Sequence, residues 1–172
     1  MYKESGMMNR SINDVYELMH NADENKKAGR FQEAADKYYE AAELDKGYDV
    51  GYLNIISNFE SAAECYLKTK DIRSCECYNK AIDVYVKNGQ INQAIQRCFE
   101  YGYLLFTEYE EQGQSENFYR KGDDLQLQHN LKHTCVITKF DVSEFKKTKG
   151  KPLYGAINDA VQLRRKVNDL LI

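Results

Sequence analysis

The chain has no tryptophan, a single proline, Pro152, and no apolar run longer than a few residues. With almost no proline to interrupt it and strong helix formers in between, the backbone can be helical nearly throughout. Apolar runs this short exclude a membrane-spanning helix, which needs about 20 apolar residues. The opening stretch, Met1 to Gly6, lacks the apolar centre of a signal peptide, so a cytoplasmic protein is expected. Catalytic signatures are missing as well. There is no glycine-rich phosphate loop, no GxSxG and no HExxH, and only three histidines occur. His129 and His133 stand four apart and could share an ion with Cys135 or Asp124, but the pair straddles an expected turn, where helical spacing no longer sets a common face. Asp123 and Asp124 are adjacent, so on a helix they diverge rather than form an acid–base pair. No enzyme, metal site or cofactor is expected.

Cysteine usage and charge narrow the class further. Cys65, Cys75, Cys77, Cys98 and Cys135 are an odd number in a chain without a secretion signal, and are expected as thiols rather than disulfides. Cys75 and Cys77 point about 200° apart on a helix and cannot chelate one ion together. A net charge of −3 gives no general attraction for nucleic acid. With 42% hydrophobic and 30% charged residues the chain is an ordinary folded one, and its 14 tyrosines read as packing residues with a polar edge.

What the sequence does contain is a repeat. Ile55, Phe59 and Ala62 fall on one face of a helix, and Ser74, Tyr78 and Ala81 give the next helix the same alternation of large and small. About 40 residues on, the pattern returns as Ile95, Phe99 and Gly102, then Ser115, Tyr119 and Gly122. One step back it reads Val15, Met19 and Ala22, then Ala34, Tyr38 and Ala41. One step beyond the third copy it reads Val136, Phe140 and Ser143, then Ala156, Ala160 and Leu163. A lone helical hairpin cannot bury both apolar stripes, so such units must stack. The fold class expected is therefore all-α: a TPR-like α-solenoid of four antiparallel helical hairpins over residues 11–172, behind a flexible lead of residues 1–10.

Capping signals place the elements. Ser11 with Asp14 reads as the start of a first helix running to about Lys27, stopped by Gly29. A second runs from Phe31 to about Lys46 and Gly47, a third from about Val50 to Lys68, and a fourth from Asp71 to about Lys87 before Asn88 and Gly89. A fifth covers about Ile91 to Glu110, with Gly113 at the reversal, and a sixth ends near His129. Thr134 to Phe140 is β-branched enough to read as a strand by itself, but the repeat makes it a seventh helix. Pro152 suits the first turn of an eighth. The small residues of paired helices are one residue further apart in the last two hairpins, so those turns are expected to be longer.

Turns inside the hairpins should fall along one edge, and that edge is basic: Lys26, Lys27 and Arg30, then Lys68, Lys70 and Arg73, then Lys146, Lys147, Lys149 and Lys151. The third hairpin interrupts it with Glu108, Glu110 and Glu111. Lysines are common at helix C-termini, where they suit the dipole. The sharper reading is an edge that docks anionic lipid headgroups or an acidic helical partner.

The run from Ser61 to Ile95, continued by Glu100 to Leu104 and Tyr119 to Asp124, resembles the soluble NSF-attachment proteins. Their TPR-like hairpins have this same longer period of about 40 residues, against about 34 in ordinary TPRs. The resemblance implies a cytoplasmic, peripheral-membrane adaptor of vesicle trafficking and membrane fusion. Such an adaptor grips the acidic SNARE complex through basic residues and recruits the ATPase NSF to disassemble it. It implies partner contacts at Arg97, beside Gln96, and at Lys132, and a membrane-facing first turn, here Lys26, Lys27 and Arg30. Lys68, Lys70 and Arg73 of the basic edge join the partner contacts. The family has further hairpins and a C-terminal bundle, so 172 residues hold four of its units, as a fragment or as a short member. The alternative is a generic TPR-type scaffold holding a peptide in its concave groove, for which Lys37 and Arg97 are sparse.

Overall fold

A computed structural model describes residues 2–48 and 51–131, with side chains from residue 12 onward except Thr107. Those residues form six helices and no strand: α1 (Tyr2–Lys27), α2 (Phe31–Asp45), α3 (Tyr52–Lys68), α4 (Arg73–Lys87), α5 (Ile91–Tyr109) and α6 (Gln112–Gln128). The chain divides into two compact units, Met1–Gln90 and Ile91–Ile172. In the first, α1 packs on α2, α2 on α3 and α3 on α4, which is two TPR-like hairpins stacked in series. In the second, α5 packs on α6 as a third hairpin. The expected seventh and eighth helices, with Pro152, Cys135, His133 and the lysines at 146, 147, 149 and 151, lie outside the described residues.

The repeat positions are the core. Val15, Ala22, Ala34, Tyr38, Ala41, Ile55, Phe59, Ala62, Ser74, Tyr78 and Ala81 are buried in the first unit, and Ile95 and Ser115 in the second. Small residues let paired helices approach closely, and the ring one turn away fills the space beside them. Met19, Phe99 and Tyr119 are half-buried, the last two as a stacked pair with centroids 5.9 Å apart.

Helix starts and stops differ from expectation in three places. α1 begins at Tyr2, so Ser11 lies inside it and the stretch expected as a lead belongs to the helix. Residues 2–10 carry helix formers such as Met7, Met8 and Arg10 and no proline, so nothing forces a start at the serine. α4 is assigned from Arg73, yet Asp71 caps it: its Oδ1 accepts the Arg73 N–H at 2.9 Å, and its carbonyl accepts the Ser74 N–H at 3.1 Å. Gly113 sits inside α6, and the reversal before it is made by Glu110 instead.

That reversal follows a rule shared by the hairpins. Each turn spends one residue in the left-handed region: Gly29 (φ 75°), Lys70 (φ 55°) and Glu110 (φ 55°). At the first two, the next N–H reaches back five residues, Arg30 to the Asn25 carbonyl and Asp71 to the Tyr66 carbonyl, each at 2.9 Å. This is the 6→1 bond that closes a helix C-terminus. In the third, Glu111 reaches back six, to the Leu105 carbonyl at 3.0 Å, which accommodates the extra residue expected there. A side chain in this region costs roughly 1–2 kcal/mol. Glu110→Gly is therefore expected to stabilise the chain by about 0.5–1 kcal/mol after the greater freedom of an unfolded glycine is set against the relief. A urea midpoint at or below wild type would show that Glu110 is not strained.

Candidate functional site

The edge made by the first two hairpin turns is assembled by contacts between them. The Lys68 ammonium lies 5.3 Å from the centre of the Phe31 ring, and the Thr69 hydroxyl and Gln32 side-chain carbonyl hydrogen-bond at 3.0 Å. The Gln32 amide in turn donates to Asp71 at 3.2 Å, and Lys26 faces Glu64 at 3.8 Å. These contacts join the first two hairpin turns, which carry Lys26, Lys27, Arg30, Lys68, Lys70 and Arg73.

Their charges are not equally available. Arg73 is 46% exposed but fully engaged: its guanidinium meets Asp71 at 2.7 Å and Asp36 at 3.0 Å and lies 4.4 Å from the centre of the Tyr66 ring. Side-chain and backbone hydrogen bonds from Arg73 hold the Asp71 carboxyl down at about 2, well below the usual carboxylate range. Arg73 therefore joins the two hairpins. Lys27 is paired with Glu24 at 2.9 Å. Arg30 donates only to the neutral Asn25 side chain at 2.8 Å, Lys68 meets only a ring, and Lys70 is exposed. Among the described residues, no carboxylate pairs with these last three.

Arg73 begins a polar ladder between α2 and α4 that the sequence reading missed. Asp36 accepts from Arg73 and from the Tyr66 hydroxyl, Tyr39 donates to Glu76 at 3.2 Å, and Lys80 reaches Glu43 at 2.6 Å. Lys80 also lies 4.6 Å from the Tyr39 ring centre. Burial works against its charge, but hydrogen bonds to Glu43 and Tyr39 more than offset this and raise its pKa. Tyr38 and Tyr66 are pushed up by burial and by hydrogen bonds to Asp23 and Asp36 respectively, so both stay neutral donors. The ladder partners stand 37 residues apart, Asp36 with Arg73 and Glu43 with Lys80. Opposite charges at that spacing are the signal that could have revealed it.

Arg97 belongs to α5 of the second unit and pairs with Glu100 at 2.6 Å, its side chain 39% exposed. Lys132, proposed alongside it, lies outside the described residues. Glu108, Glu110 and Glu111 are all exposed around the third turn. Cys65, Cys75, Cys77 and Cys98 are buried thiols, and burial pushes Cys77 up to about 12. Among the described residues no group of three side chains could hold a metal ion, and no helix is long and apolar enough to cross a membrane.

Helical hairpins with a 40-residue period have a counterpart among known families. The family model described as "Soluble NSF attachment protein, SNAP" matches residues 4–167. The chain belongs to the soluble NSF attachment protein family. No curated protein and no solved structure matches it. Membership makes this SNAP-family chain one of a group of non-enzymatic adaptors that serve vesicle trafficking.

Proposed function

We propose that this chain is a SNAP-like adaptor that binds SNARE complexes and brings NSF to them for disassembly. The reading is carried by the gathering of cations on one edge of stacked hairpins in a chain of this family. On the helix faces beside that edge the carboxylates of Asp36, Glu40 and Glu76 are paired with Arg73, Lys37 and Lys80, so the cations without a carboxylate partner that an anionic surface could meet are those at the turns. Arg97 and Lys132 are the proposed contacts to the acidic SNARE bundle. Lys68 and Lys70 offer charge at the second turn, where Arg73 serves mainly to hold that turn in place, and Lys26, Lys27 and Arg30 form the proposed membrane-facing first turn.

A pull-down of the purified chain on an assembled SNARE bundle at low and moderate salt tests this, with NSF added as a second step. Binding should be salt-sensitive, and Arg97→Glu with Lys132→Glu should weaken it by about tenfold while flattening the salt dependence and leaving helicity unchanged. Wild-type affinity in the double variant would remove those two residues from the interface. No binding at either salt would overturn the SNARE reading.

A further inference from the structure

The third hairpin turn is charged against its own helix. Lysines close α1 and α3, Lys26 with Lys27 and then Lys68, where they suit the carbonyl end of a helix, but the last turn of α5 holds no basic residue. Glu108 stands in that turn and Glu110 just beyond it, both exposed, so their charges oppose the helix end they adjoin. Among the described residues no cation pairs with Glu110 or Glu111. Phe106, one turn before Glu110, is 49% exposed. Such a turn is stabilised by cations brought from another segment.

The first unit shows where a neighbouring turn brings its side chains. Contacts between its two turns join residues 37–39 apart: Phe31 with Lys68 at 5.3 Å, Gln32 with Thr69 at 3.0 Å, Lys26 with Glu64 at 3.8 Å and Gln32 with Asp71 at 3.2 Å. The repeat there advances 40 residues, from Ala22 to Ala62 and from Ala34 to Ser74, so the partners fall one to three residues short of the full step. From the third hairpin to the fourth the sequence advances 41, from Gly102 to Ser143 and from Ser115 to Ala156. The same offset then joins residues 38–40 apart. It sets Phe145 opposite Phe106, Lys146 and Lys147 opposite Glu108, Lys149 opposite Glu110, and Lys149 with Lys151 opposite Glu111. Every lysine of that run meets a carboxylate, and its one large apolar residue meets a phenylalanine.

We infer that the acidic third turn is the docking surface of this chain's own basic segment, residues 145–151, which lies outside the described residues. The four lysines of that segment are then engaged within the second unit. The part of the basic edge open to an anionic partner is the first two turns, and the fourth turn does not add to it. Hydrogen exchange of the full chain, read by mass spectrometry as the protection of residues 144–151, tests this. An exposed ion pair shifts a local equilibrium by up to about fivefold. Glu108→Lys with Glu111→Lys should therefore lower protection of the segment by about tenfold, and Lys147→Glu with Lys151→Glu should do the same from the other side. All four substitutions together should return it to within about threefold of wild type, a rescue that misfolding of either segment could not give. Protection in the wild-type chain should also fall several-fold between about 50 mM and about 500 mM salt. Unchanged protection in the double variants, no rescue in the fourfold variant, or protection insensitive to salt would each overturn the inference. So would protection that disappears on dilution together with a dimer in sedimentation velocity, which would bring the basic segment from a second copy. The test contains neither SNARE nor NSF, so the docked segment and the adaptor reading can each fail without the other.

Discussion

Replacing Phe59 with alanine is expected to cost the folded chain about 3–5 kcal/mol, enough to consume much of the stability of a single domain. Phe59 is 0% exposed in α3, at the point where the two hairpins of the first unit meet. The Tyr39 ring of α2 meets it edge-on at 5.9 Å, and the ammonium groups of Lys46 and Lys80 stand 4.8 and 5.8 Å from its centre. Truncation would remove the apolar burial, leave a cavity between packed helices and take away the ring beneath Lys80, whose bond to Glu43 ties α4 to α2. Phe99, at the same position of the repeat, is half-buried and rests against Tyr119 alone among the ring pairs described, so Phe99→Ala should cost roughly half as much. Urea midpoints of the two variants decide it. Equal losses would mean that the repeat position, and not the local burial, sets the energy.

That contrast shows where the sequence is legible and where it is not. Large and small residues recurring on one helix face identify the hairpins because burial depends on face, and face is fixed by helical periodicity. The family assignment followed from the same repeat. Turn chemistry was legible only where glycine marks it: Gly29 and Gly89 adopt positive φ as expected, but Lys70 and Glu110 do the same work without a glycine's signature. The α2–α4 ladder stayed hidden for a geometric reason. Equivalent positions in successive hairpins are 40 residues apart, whereas the side chains that bond across the stack are 37 apart, one helical turn short. Aligning repeats places Asp36 opposite Glu76, a like-charge pair, and conceals its partner Arg73.

The basic edge was legible as composition, but its availability was not. Lysine and arginine are counted alike in a sequence, while a structure separates Arg73, held by two carboxylates, from Lys70, which is held by none among the described residues.

The second hairpin-level prediction concerns Gly102, where two effects of similar size oppose each other. Helix propensity alone favours Gly102→Ala by about 0.8–1 kcal/mol. A methyl group there would stand 2.7 and 2.8 Å from two ring carbons of Tyr119 and 3.0 Å from the Ser115 carbonyl oxygen. The carbonyl belongs to the backbone of α6 and cannot yield without moving that helix, and the Tyr119 ring is backed by Phe99. Overpacking should therefore win, leaving Gly102→Ala destabilised by about 1–3 kcal/mol by urea or thermal unfolding. Gly122→Ala is the milder case: the nearest atoms to its methyl, Cys98 Cβ and Phe99 Cε2, stand at 3.1 Å rather than 2.7 Å, so it should lose less stability than Gly102→Ala. Shortening the ring with Tyr119→Leu should recover part of the loss in the Gly102→Ala background, since the two sites share one contact. If Gly102→Ala instead matches or exceeds wild-type stability, α5 and α6 can separate at little cost. The close approach that the small residues of the repeat permit would then not be what holds the third hairpin together.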